Sequence, residues 1–215
     1  MEEIIKNIAI YAIPVIFAVT VHEAAHGYVA KYFGDPTAYM LGRVTLNPVK
    51  HIDPIGTIAL PLLLLLVSSG GMLFGYAKPV PVNFSQLRQP KADMLWVAAA
   101  GPAANLLMLI IWALLYKIAL MNGVGDFSEP LGLIARAGIL INASLMVLNL
   151  LPILPLDGGR IAVSLLPMSL ARPFAQMEQY GMFIVMGLLI TGVLTRIMGP
   201  LMEIVLNVTS NLFGI

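Results

Sequence analysis

The sequence predicts an all-α polytopic membrane protein, a single domain over residues 1–215 with five to six membrane helices. Three observations carry this expectation. Of the 215 residues 59% are apolar and 11% charged, whereas a water-soluble domain carries about 25% charged residues. The mean hydropathy is +0.90. The apolar residues also fall in runs close to the ~20 residues needed to cross a bilayer, separated by stretches rich in Pro, Gly and charge. A net charge of +1 gives no electrostatic basis for binding nucleic acid. The absence of cysteine leaves His, Asp and Glu as the metal-capable side chains. The expected partners are the lipid bilayer and other membrane chains, with the oligomeric state unspecified.

The first run, Ile4 to about Phe33, follows a start without the basic region and cleavage site of a signal peptide, and is expected to be retained. It stops at Gly34, Asp35 and Pro36. The second, Ile55 to Gly75, is interrupted by Pro61 and by Ser68 to Gly71. Leu95–Met121, Leu131–Leu154 and Phe174–Arg196 come next. The last, Leu201–Ile215, is short, carries Glu203, Asn207 and Asn211, and either crosses the bilayer or lies at its surface. Charge orients these segments. Lys31, Arg43 and Lys50 precede the second run, Lys78, Arg88 and Lys91 follow it, and the stretch 122–130 has Asp126 and Glu129 with no base. The positive-inside rule places both basic loops in the cytoplasm. The run at about 55–75 then enters and leaves on one side, as a re-entrant or broken hairpin, although its length alone allows a plain span. Just after it, Pro79 and Pro81 exclude a helix interior and favour extended backbone over about 76–84.

Within the first run, His22, Glu23 and His26 spell HEAAH. Positions four apart share one helix face, so the two imidazoles can hold one Zn²⁺ while Glu23 reaches a water beside it. Ionisable groups at membrane depth cost at least ~2.5 kcal/mol each, which points to function. A catalytic zinc takes three protein ligands. Among the remaining acids Asp157 stands apart: Pro152 and Pro155 break the fourth long run just before it, and Gly158 and Gly159 follow it. One carboxylate on an unwound membrane helix has the character of a metal or substrate site.

Together these segments resemble the site-2 protease family of intramembrane zinc metalloproteases. The resemblance rests on HEAAH at 22–26, on Gly101 to Asn105 as a GxxxN motif, and on Asn149 to Gly158 as an NxxPxPxLDG-like motif. Leu154 stands where many relatives have the middle proline. The motifs fall in family order and cover most of the chain from Val21 to Arg160, a compact form without an evident PDZ or nucleotide-sensing (CBS) domain. The resemblance implies one Zn²⁺ per chain held by His22, His26 and Asp157, with Glu23 as general base. It implies that Asn105 and Asn149 line the site, holding substrate or an oxyanion. It also implies that the segment at Lys78, Val80 and Val82 offers a strand edge to an unwound substrate. The catalytic core is then about 4–160, and 174–215 supplies C-terminal helices that gate it. The expected activity is hydrolysis of peptide bonds in or near transmembrane helices, in regulated intramembrane proteolysis, with the zinc toward the cytoplasmic side of the cell membrane.

Several positions keep plainer readings beside these. Asn105 with Gly101 also suits helix packing, the 76–84 segment a polar connector, and His51 a loop-capping role instead of a part in substrate binding or gating. For the whole chain the alternatives are a non-catalytic scaffold of the same fold and a metal or proton-coupled transporter. The intact glutamate of HEAAH opposes the first, and the lack of an inverted repeat opposes the second.

Overall fold

The computed structural model describes residues 2–59, 77–123 and 125–215. The runs that were apolar throughout became long helices: α1 (Glu2–Tyr32), α2 (Pro90–Met121) and α3 (Ser128–Leu150). These are the three helices among the described residues that are long and apolar enough to cross a membrane. Helix α2 opens five residues earlier than the apolar run, because Pro90 at its first turn has no N–H to leave unsatisfied. Four shorter helices follow: α4 (Asp157–Leu165), α5 (Met168–Gln176), α6 (Glu178–Ile190) and α7 (Val193–Phe213). No strand occurs among the described residues, so the 77–83 part of the expected extended segment lies between helices without sheet partners.

Side-chain pairings set the directions. His22 meets Asn105 and His26 meets Val97, so α1 and α2 run antiparallel. Asn105 meets Asn142, and Trp112 lies against Gly138, so α2 and α3 are antiparallel as well. A Cβ on Gly138 would fall within 2.7 Å of the Trp112 ring, and this close approach lets the two helix backbones converge. Around it Leu109, Trp112, Ala113, Ala135, Ile139 and Ala143 form one buried cluster, with side chains of α7 packed on it.

At the end of α1 the main-chain N–H of Arg88 donates to the Phe33 carbonyl (3.0 Å), and the Arg88 guanidinium donates to that of Tyr32 (3.0 Å). The end of α1 and the start of α2 therefore lie side by side. The expected hairpin at about 55–75 lies outside the described residues except for a π-helical turn, Pro54–Ala59.

The expected span at Phe174–Arg196 is corrected. That stretch is divided among α5, α6 and the start of α7, and the last two meet at 81°. Gly192 stands at the corner with φ +72°, a left-handed conformation open to glycine at little cost, and the Thr191 hydroxyl donates back to the Gly187 carbonyl (2.7 Å). Unbroken apolarity through Ile190 and Val193 had hidden the break. The expected Leu201–Ile215 segment is consequently the end of α7. Counting the bent pair as one span gives four among the described residues, against the five to six expected.

Candidate metal centre

Two helix faces and one chain reversal build the site. His22 and His26 project from α1 toward α2, where Gly101 leaves room for them. A Cβ there would sit 2.6 Å from His22 Nε2 and closer still to His26 Nε2. Pro102 beside it cannot donate to the Ala98 carbonyl, which loosens the helix ladder at the same level. Asp157 arrives from the other direction. Helix α3 ends at Leu150, and the chain turns back so tightly that a Cβ on Gly158 would collide with the Leu150 and Leu151 carbonyls. At its far end α4 is fixed to the start of α2, the Lys91 ammonium donating to the Leu166 carbonyl (2.5 Å).

The result is a compact triad. His22 Nε2 and His26 Nε2 each lie 3.3 Å from Asp157 Oδ2 and 3.1 Å from one another. All three residues are buried. The far nitrogens decide what the near ones can offer. His26 Nδ1 is 2.7 Å from the Val97 carbonyl, which can only accept, so that nitrogen carries the proton and Nε2 presents a lone pair. His22 Nδ1 is likewise 2.6 Å from Asn105 Oδ1. Asp157 Oδ2 is buried and accepts no hydrogen bond among the described residues, despite standing at ion-pair distance from both rings. Three electron-pair donors thus converge with no proton assigned between them. That is a donor set suited to a cation, and two imidazoles plus a carboxylate match the ligands of a catalytic zinc.

Glu23 is half-buried, and its Oε2 accepts the Val80 N–H (2.7 Å). The segment that supplies this donor is tied down along its length. Lys78 N–H donates to the His51 carbonyl (2.9 Å), Arg43 donates to the Lys78 and Pro79 carbonyls, and Asn83 N–H donates to Asp35 (2.6 Å). At Lys78 and Val80, then, the N–H groups of the expected strand edge are already paired within the chain. Val82 packs on the Ala30, Leu87 and Val97 cluster.

The other expected residues divide. Both N–H donors of Asn105 are used, to the Ala18 carbonyl (3.2 Å) and to Asn142 Oδ1 (3.0 Å). Its own Oδ1 is the atom that faces His22. Asn149 donates to the Leu145 carbonyl in its own helix (3.0 Å) and touches none of the triad by hydrogen bond. His51 is buried, its Nε2 2.8 Å from the Thr45 carbonyl, and makes no hydrogen bond to the triad among the described residues. Sequence reasoning passed over Asn142 and Asp35. An amide in the middle of an apolar helix was the available signal for Asn142. Asp35, wholly buried and accepting from Thr37 and Asn83, looked like part of a helix stop.

A helical membrane fold with HEAAH facing a distant aspartate defines a membrane metalloprotease class, and comparison with known proteins agrees. The chain belongs to peptidase family M50, the site-2 protease family; the family's model matches residues 118–192, which include Asp157. It is 38% identical over 196 residues to "Putative zinc metalloprotease YwhC" of Bacillus subtilis (strain 168), covering 89% of this chain and 84% of that one. It is 33% identical over 187 residues to "Putative zinc metalloprotease Rip2" of Mycolicibacterium smegmatis, covering 84% of this chain and 66% of that one. Against the Rip2 of Mycobacterium tuberculosis (strain H37Rv) the identity is 30% over 147 residues, 66% of this chain and 52% of that one. No solved structure matches the chain. The family and these names support a zinc-metalloprotease role.

Proposed function

We propose that this chain is an intramembrane zinc endopeptidase, cutting peptide bonds in or near transmembrane helices of other membrane proteins. The observation that carries the reading is the convergence of His22 Nε2, His26 Nε2 and the unpartnered Asp157 Oδ2, with Glu23 one residue from the first ligand. His22, His26 and Asp157 would hold one Zn²⁺. When bound, the ion supplies Lewis-acid polarisation of the scissile carbonyl and makes a nearby water more acidic. Glu23 Oε1, which has no hydrogen-bond partner among the described residues while Oε2 holds the Val80 N–H, takes a proton from the attacking water as oxygen bonds to the carbonyl carbon. Glu23 then returns that proton to the departing amide nitrogen as the C–N bond breaks, leaving a carboxylic acid, which gives up its proton to solvent, and an amine. Asn149, whose second N–H and amide oxygen have no partner among the described residues, is the candidate for holding substrate.

A substrate helix must unwind first, because its carbonyls are engaged in its own hydrogen bonds. Val80 and Val82 then offer backbone beside Glu23, the substrate exchanging for contacts now made within the chain. The gating by the C-terminal helices, the cytoplasmic position of the site, the cell membrane as location and regulated intramembrane proteolysis belong to the same proposal. The test is cleavage of a transmembrane reporter by the purified chain in vesicles. Cleavage is expected to stop when zinc is stripped by a chelator, return when zinc is restored, and speed up when Gly or Pro is placed in the reporter helix. Cleavage that persists in the metal-free protein would refute the reading.

A further inference from the structure

A directed chain of amides leads into the metal centre from a residue that never touches it. Asn142, in the middle of α3, is fully buried, as is Asn105 on α2. Asn142 Nδ2 donates to the Gly138 carbonyl (2.9 Å), so its Oδ1 must face the other way, toward Asn105 Nδ2 (3.0 Å). Asn105 Nδ2 also donates to the Ala18 carbonyl (3.2 Å), so its Oδ1 faces His22 Nδ1 (2.6 Å). The two ends of an amide are chemically opposite, and a backbone carbonyl can only accept. The Gly138 and Ala18 carbonyls therefore fix the sense of every bond in the series. It ends at His22 with the proton on Nδ1 and the lone pair on Nε2.

We infer that Asn142 is a positioning residue that, through Asn105, locks His22 in the tautomer able to ligate a metal. The inference rests on the proposed zinc site but goes beyond it, since Asn142 lies in none of the three motifs. The physical case is one of alternatives. A buried amide with an unmet donor or acceptor is penalised, and more so where no water can help. Without the Asn142 oxygen, one Asn105 N–H loses its partner. Only the Ala18 carbonyl would then oppose a 180° rotation of the Asn105 amide, which turns N–H toward His22, invites the proton onto Nε2, and removes a ligand. His26 needs no such relay, because Val97 offers it a backbone carbonyl directly. Outer-shell partners of ligating histidines typically change metal affinity by about 10–100-fold.

The experiment uses the full chain in detergent, with three histidines to resolve. Zinc affinity is measured by chelator competition, and the ¹⁵N spectrum of histidine-labelled metal-free protein reports the His22 tautomer. Asn142→Leu is expected to weaken zinc by about tenfold and to add an Nε2–H form to the His22 signal, which in the wild type is Nδ1–H alone. Asn142→Ser, whose oxygen falls short of Asn105, should do the same and serves if the leucine variant does not fold. Asn142→Asp, held as the neutral acid by burial, can donate its O–H to the Gly138 carbonyl, keeps an acceptor facing Asn105 and should restore both readouts. The inference is overturned if a folded Leu or Ser variant keeps wild-type affinity and a pure Nδ1–H signal. It is equally overturned if all three variants lose zinc with the tautomer unchanged, which would make Asn142 a packing residue. The spectrum needs no metal, so it still decides if the wild type proves to bind no zinc and the proposed function itself fails.

Discussion

Glu23→Gln is expected to retain zinc at the wild-type stoichiometry and to cleave a transmembrane reporter about 10²–10⁴-fold more slowly, the usual contribution of a general base. The split between binding and turnover follows from geometry. The triad is made by His22, His26 and Asp157, and Glu23 is no part of it. Its Oε2 is instead held by the Val80 N–H at 2.7 Å. Glutamine keeps the shape and still accepts from Val80, but it cannot take a proton at neutral pH. Zinc content by atomic absorption and reporter cleavage on the same preparation check the prediction. Loss of metal with loss of cleavage would place Glu23 in the ligand set. Unimpaired cleavage would remove it from the reaction.

The second large effect is expected from Gly101→Ala, the addition of one methyl group. In an ordinary helix interior that change is favourable by roughly 0.5–1 kcal/mol, because glycine is the more flexible residue in the unfolded chain. Here the new Cβ would lie 2.6 Å from His22 Nε2, nearer than van der Waals contact, and closer again to His26. Neither ring is a loose chain end, since Val97 and Asn105 hold their other nitrogens. Zinc affinity should fall by at least about tenfold, and forcing the methyl in should cost ~1–3 kcal/mol of stability. Gly187→Ala in α6, where a Cβ meets nothing within 4 Å, is the control and should be neutral or slightly stabilising. Chelator competition and thermal unfolding of both variants decide. Wild-type zinc affinity in Gly101→Ala would mean that the histidines stand elsewhere.

Much of this was legible because lipid constrains sequence strongly. The courses of α1, α2 and α3 showed as long apolar runs, since a bilayer leaves a spanning chain few alternatives to a helix. The triad was legible for a related reason: ionisable groups in such runs are rare enough for His22, His26 and Asp157 to stand out. Two kinds of feature were not legible. The corner at Gly192 depends on one left-handed residue in an apolar stretch, and hydropathy does not register a backbone angle. The orienting partners of the site are set by tertiary contact alone. Asn105 was seen through its motif, but only the neighbouring carbonyls of Ala18 and Gly138 reveal which way the amides face. Nothing in the local sequence around Val80 announces that its N–H meets Glu23, 57 positions away.

The central claim is that side chains from α1 and from the turn after α3 share one ion. X-ray absorption at the zinc edge, on the purified protein and on Asp157→Ala, tests it most directly. The account predicts one zinc per wild-type chain with two imidazole nitrogens and a carboxylate oxygen among its neighbours, and loss of that ion in the variant. A wild-type zinc without imidazole neighbours, or an Asp157→Ala protein with the same zinc and the same shell, would contradict it.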